Sequence, residues 1–287
     1  MGDSFVAGYR TDQERTVGRR LEVRLRERWG RDRVEVLVAG TGHPAAARLW
    51  LGRHGFGFDP DLVVLAVTLG NDPAQTWLAA RRLPVPLLES LLVPADASPE
   101  SDLGLLPVKL DRTLLSWRLY RRARRLLTPE VISSWFRDFP TRVHLFDPGH
   151  SLGLFYTRRE HPLVEDALDA LLGELAGMDA ECALRQVSLL VAFIPQRFQL
   201  DPRTWRATTF DYGLDPGAFE RNLLNRRLME DCAALQLTCI DLLAGFQAAA
   251  GSPLYQPLGD MHWNDAGHDL AAAHRPGDRG PLCLGGS

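Results

Sequence analysis

Residues 60–72 read Pro-Asp-Leu-Val-Val-Leu-Ala-Val-Thr-Leu-Gly-Asn-Asp, and from Leu62 to Leu69 every residue but Thr68 is apolar. A run this short and this continuous has no hydrophilic face. As a strand it must be covered on both sides, which is the condition of strands in a parallel sheet. Gly70, Asn71 and Asp72 then turn the chain. Working outward, Val34 to Val38 is a shorter β-branched run, and the alanine-rich stretch from Pro44 to His54 supplies a crossover helix between the two. Strand, helix and strand in that order predict an α/β fold with a central parallel sheet.

The same pattern returns late in the chain. Val187 to Ile194 and Leu237 to Ile240 are the next strand candidates, and Asp215-Pro216 opens a helix running to about Leu235. Near the start, Thr11 and Glu14 have the form of a capping box, and Val17, Leu21 and Leu25 recur every fourth residue, so residues 12–29 are expected to form an amphipathic helix. Its polar face carries Arg19, Arg20, Arg24 and Arg26 against Glu22 and Glu27.

Residues 77 to about 180 interrupt the alternation. Prolines 84, 86, 94, 99 and 107 mark loops. A basic helix is expected over 113–127, with Leu115, Leu119, Ala123 and Leu126 on one side and Arg118, Arg121, Arg122 and Arg125 toward the other. Such a face is a solvated surface or, in the sharper reading, a contact with a membrane surface or an acidic partner. A further helix is expected from Pro162 to Leu175. The segment reads as an inserted helical cap within one domain spanning 1–273, followed by a Pro/Gly-rich disordered tail over 274–287.

Composition excludes several classes. The 287 residues are 45% hydrophobic and 24% charged, with a net charge of -3, which gives no global attraction to nucleic acid or acidic membranes. No stretch approaches the roughly 18 apolar residues of a membrane span. Cys182, Cys232, Cys239 and Cys283 show no metal-ligand spacing, and a chain of this length needs no disulfide. His144, Asp147, His150 and His161 fit no helical ligand pair, so neither metal nor cofactor is expected.

The chemistry sits at the two ends. Gly2-Asp3-Ser4-Phe5 offers a hydroxyl at an expected strand-to-helix turn, and Asp260-Met261-His262-Trp263-Asn264 offers an imidazole and a carboxylate. A serine is a weak nucleophile until a base takes its proton, and an imidazole titrating near pH 6.5 both accepts that proton and returns it. A carboxylate on the second ring nitrogen fixes the tautomer. Ser4, His262 and Asp260 are therefore the expected catalytic residues.

Ser4, Gly40, Asn71 and His262 stand in the block order of the SGNH, or GDSL-type, serine hydrolases and acyltransferases, which the chain resembles over residues 2–75 and 187–270. The most specific matches are residues 60–72 and the run from Asp260 to His268, with its His-x-Asn-x-x-Gly-His pattern. The resemblance implies a three-layer α/β/α sandwich and an oxyanion hole from the Ser4 and Gly40 amides and the Asn71 side chain. It departs from the family in two places. Val38 stands where many members carry Asn, and Asp260 precedes His262 by two residues rather than three, a spacing similar to alginate-type O-acetyltransferases. In the family a buried strand delivers the nucleophile, so the first strand is expected to be missing here, and a missing segment could have held an export signal; localisation stays open.

The implied activity is hydrolysis of a carboxylic ester, such as an O-acetylated carbohydrate, through an acyl-enzyme. The alternatives are acyl transfer to a glycan or other alcohol, and a catalytically inactive binding or cell-envelope protein. Nucleic acid is not an expected partner.

Overall fold

The computed structural model describes residues 1–30, 33–81, 162–211, 220–249, 251–256 and 261–274. Three strands, β1 (Leu62–Thr68), β2 (Ser188–Ile194) and β3 (Cys239–Asp241), form a parallel sheet in that order. Leu62 pairs with Ser188 and Thr68 with Ile194, so β1 and β2 run in register over their full lengths, while β3 meets β2 from Val191 to Phe193. The chain is thus α/β with a parallel sheet, as the run at 60–72 predicts.

Side chains alternate along a strand, and both faces here are apolar. Val63, Leu65 and Val67 join Leu189, Val191 and Phe193 in the larger core. The opposite face sends Ala66, Ile194 and Ile240 into a second core with Phe5, Leu242, Phe246, Leu254, Tyr255 and Trp263. Burying each large side chain contributes about 1.5–3 kcal/mol before entropy is charged against it.

Helices cover these faces. In chain order they are α1 (Val17–Trp29), α2 (Pro44–Arg53), α3 (Asp72–Ala80), α4 (Pro162–Ala183), α5 (Arg197–Leu200), α6 (Pro202–Asp211), α7 (Leu223–Ala234), α8 (Leu243–Ala248) and α9 (Asp265–Ala273). Leu51 of α2, Trp77 of α3, Leu168, Leu171 and Leu175 of α4, and Leu228 of α7 fill the larger core. α1 lies beside α9, where Arg20 and Arg24 both hold Asp269 at 2.9 Å. Behind the sheet, Gln199 donates to Asn225 at 2.7 Å and Asn225 to Asp241 at 2.8 Å, tying α5, α7 and β3 together.

Two local expectations fail. The Thr11 capping box does not form: residues Gln13–Arg15 make a single 3-10 turn, and α1 starts at Val17. Thr16 takes the cap position, but its hydroxyl donates back to the Gln13 carbonyl at 2.8 Å. The run Val34 to Val38 is not a strand of the sheet. It joins only through a bridge between Gly2 and Gly40, and Leu37 and Val38 stay 52% and 41% exposed. A strand is made by its neighbours. Among the described residues Met1 and Gly2 lie between this run and β1, with Gly2 N–H bonded to the Ala39 carbonyl at 3.3 Å, Thr41 N–H to that of Gly2 at 2.7 Å, and Ala66 N–H to that of Met1 at 2.9 Å. The Met1 ammonium donates to the Val64 carbonyl at 2.6 Å, and burial lowers its pKa to about 6.

The segment expected as an insertion starts and ends inside described helices. Both α3 and α4 contribute to the larger core. Residues 82–161, with the basic helix over 113–127 and His144, Asp147, His150 and His161, lie outside the described residues, as do Asp215-Pro216 and the tail from 275. Among the described residues no helix is long and apolar enough to cross a membrane.

A chain of this length needs no disulfide but is free to form one, and Cys232 at the end of α7 is bonded to Cys239 at the start of β3. Closing so short a loop stabilises by about 2–3 kcal/mol through the unfolded chain. The double variant Cys232→Ala/Cys239→Ala is expected to lower unfolding free energy by about that amount in chemical denaturation, and a change within error would contradict the assigned bridge.

Candidate active site

Met1 and Gly2 run parallel to β1, and the chain leaves the sheet at its carboxyl end through a tight turn. Ala7 N–H bonds the Asp3 carbonyl at 3.0 Å, and Tyr9 N–H bonds that of Ser4 at 3.1 Å. Asp3 caps the turn from within, its Oδ1 accepting the Phe5 N–H at 3.0 Å. Phe5 and Val6 are buried, whereas Ser4 is exposed. Gly2 is dictated by space: a Cβ there would lie 2.6 Å from Val6 Cγ2 and 2.9 Å from the Ala66 carbonyl oxygen. The turn is therefore anchored by its apolar residues and presents its hydroxyl outward.

His262 arrives from the far end of the chain. Gln256 N–H bonds the His262 carbonyl at 2.8 Å, and Tyr255 pairs antiparallel with Trp263. Trp263 is buried, edge-on to Phe5 at 5.2 Å and stacked on Phe246 at 5.3 Å. Asn264 caps α9 by accepting the Gly267 N–H at 3.0 Å, while its amide donates to the Pro253 carbonyl at 2.7 Å. Gly267 is needed because a Cβ would stand 2.2 Å from the Leu254 oxygen. Each position of the His-Trp-Asn-x-x-Gly-His pattern thus has a physical job.

The two ends meet. Ser4 Oγ lies 2.7 Å from His262 Nε2, across 258 positions of sequence. The imidazole sits between Phe5, at a ring distance of 5.0 Å, and Tyr9, at 4.6 Å. Asp260, expected to orient it, lies outside the described residues.

Of the expected oxyanion donors, Gly40 stands opposite Gly2 across the bridge, and a Cβ on it would be 3.0 Å from Ala7 Cβ on the Ser4 turn. Asn71 is the cap residue before α3, just past the end of β1, and its side chain makes no bond to the helix start. A turn-capping role for that amide is thereby removed. Gly70 beside it admits Gln196, whose Oε1 would be 2.8 Å from an added Cβ. Ser4, Asn71 and Gln196 all follow the carboxyl ends of parallel elements, the edge where α/β sheets place ligands.

Sequence reading passes over the flanking ring of Tyr9 and takes Asp72 for a local hydrogen-bond partner rather than a catalyst. Tyr9 lies on the same turn as Ser4, so the motif itself contained that signal. Asp72 is fully buried with Oδ2 accepting the Thr68 N–H at 2.8 Å, and Oδ1 has no hydrogen-bond partner among the described residues. Burial first, and the neighbouring Asp3 second, push its carboxyl well above the ordinary range. Among the described residues no cluster of three or more His, Cys, Asp or Glu side chains could hold a metal.

Compared with family models, curated proteins and solved structures, the chain matches none.

His268 braces the site from behind. Its Nδ1 accepts the Val17 N–H at 3.2 Å, a bond that requires an unprotonated nitrogen, and it lies edge-on to Trp263. Burial, then Arg20, lowers its pKa to about 4. Between that value and the unfolded value near 6.5 the unfolded chain binds more protons, so stability falls as pH drops through this window, by on the order of 3 kcal/mol. Denaturation at stepped pH should show the loss, and His268→Asn should flatten it; an equal slope in both proteins would assign the effect elsewhere. Asp72 has the opposite sign, because its raised pKa makes the folded state the better proton binder. Asp72→Asn is expected to raise the melting temperature at pH 7, with the gain fading below the ordinary carboxylate range. A lower melting temperature at pH 7 would mean that Asp72 is held as a carboxylate.

Proposed function

We propose that this chain is a serine-dependent esterase of the SGNH type, built as a three-layer α/β/α sandwich and acting on a carboxylic ester, with O-acetylated carbohydrates as the leading class. The observation that carries this reading is the 2.7 Å contact between Ser4 Oγ and His262 Nε2 at the carboxyl edge of a parallel sheet. Helices packed against both faces of that sheet favour the sandwich.

In this mechanism Ser4 Oγ attacks the ester carbonyl while His262 takes its proton. The oxyanion is met by the Ser4 and Gly40 amides and the Asn71 side chain, donors of a kind worth about 2.7–4 kcal/mol each. The bond to the alcohol oxygen breaks as His262 returns the proton to it, leaving Ser4 acylated. Water, activated by the same imidazole, then releases the acid. The role assigned to Asp260 is to orient the imidazole through its second ring nitrogen. No step calls for a cofactor.

Transfer to a sugar hydroxyl in place of water is the second reading, favoured by the two-residue spacing between Asp260 and His262 and by Trp263 after it. The acyl-enzyme is common to both. Ser4→Ala is expected to lower kcat/KM for p-nitrophenyl acetate by about a thousandfold or more. Comparing acetate release into water with transfer to added glycans separates the two, and product only in the presence of an acceptor would reject the esterase. Equal background activity of wild type and Ser4→Ala would leave a non-catalytic binding protein.

A further inference from the structure

We propose that Tyr9 is the platform on which the alcohol half of the substrate lies, selecting esters whose alcohol carries a flat or cyclic face. The proposal rests on the esterase reading above and names its substrate side.

Isolated aromatic rings are common on protein surfaces and usually mean nothing. Tyr9 differs in how it is held and in what it adjoins. Phe5, on the same turn, is 4% exposed, whereas Tyr9 remains 50% exposed. Its backbone is fixed from both sides. Its own N–H bonds the Ser4 carbonyl at 3.1 Å, and Thr11 N–H closes onto Gly8 at 2.9 Å. Gly8 has φ +74, and a Cβ there would stand 2.3 Å from Thr16 Cγ2. Arg10 takes the left-handed region at φ 61, a conformation that costs a non-glycine residue energy. Gln256, the residue that also braces His262, donates to the Arg10 carbonyl at 3.4 Å. The Arg10 guanidinium carbon sits 5.5 Å from the Tyr9 ring centre. A strained, cross-braced loop thus holds a half-exposed ring against the imidazole, 4.6 Å between ring centres.

Position decides which half of the substrate meets it. The imidazole delivers its proton to the departing alcohol, so that oxygen must pass beside His262 Nε2. A ring packed on the same imidazole therefore borders the leaving group. An aryl or sugar alcohol offers it a face to stack on, and a short alkyl alcohol offers little. Stacking of this kind is worth about three- to tenfold in affinity.

The test uses wild type, Tyr9→Phe and Tyr9→Ala with p-nitrophenyl acetate, acetylated glucose and ethyl acetate, together with NMR titration of free p-nitrophenol. Tyr9→Ala is expected to raise KM for the two ring alcohols and Kd for p-nitrophenol by about three- to tenfold. Tyr9→Phe should keep wild-type values, and ethyl acetate should be indifferent to both changes. A fall in kcat shared by all three esters, with a displaced pH profile, would make the ring a brace for the imidazole and overturn the proposal. So would p-nitrophenol binding that ignores Tyr9→Ala. If wild type hydrolyses no ester while the binding difference persists, the esterase reading fails and the platform stands.

Discussion

Everything that resembles a working site depends on one buried ring. Trp263 lies against Phe5 from the start of the chain and Phe246 from α8, with His268 at its edge. The residue before it is His262, and the residue before Phe5 is Ser4. An apolar contact deep in the second core therefore sets the distance between two polar groups at the surface. Hydrophobic burial supplies a strong, undirected pull, and the pairing of Tyr255 with Trp263 gives it direction. Truncating such a tryptophan typically costs about 3–5 kcal/mol, and here the loss would fall on the joint between the two chain ends.

The parallel sheet does the complementary work. Because β1 and Met1–Gly2 run the same way, both release their loops at one edge, and the Ser4 turn and Asn71 emerge together. The same arrangement buries Asp3 and Asp72 beneath that edge. Burial there, and Asp3 after it, push the Asp72 carboxyl well above its ordinary range. The geometry of the turn is thus held partly at the expense of stability above the carboxylate range, which is common where a site imposes its own demands on a fold.

Much of this was legible in the residues. The apolar runs at 62–69 and 187–194 mark β1 and β2 almost to the residue because a doubly covered strand leaves a continuous signal. The Ser4 and His262 blocks were legible for another reason: tight turns and close packing demand Gly2, Asn264 and Gly267 at fixed offsets. What failed were features decided by neighbours distant in sequence. Val34 to Val38 has strand composition, yet a strand needs a partner along its length and finds one only at Gly40. Thr11 and Glu14 have the spacing of a capping box, but α1 begins where Val17 can bond His268, 251 residues away. The pair Cys232 and Cys239 carries no spacing signal, since only the turn between α7 and β3 brings the sulfurs together.

The central claim is that Ser4 is a nucleophile because His262 activates it. Treating the intact protein with an alkyl fluorophosphonate and mapping the modified peptide by mass spectrometry tests it most directly. The account predicts modification at Ser4 in the wild type and little or none in His262→Ala. Labelling of a different serine, or equal labelling of Ser4 with and without the imidazole, would contradict it.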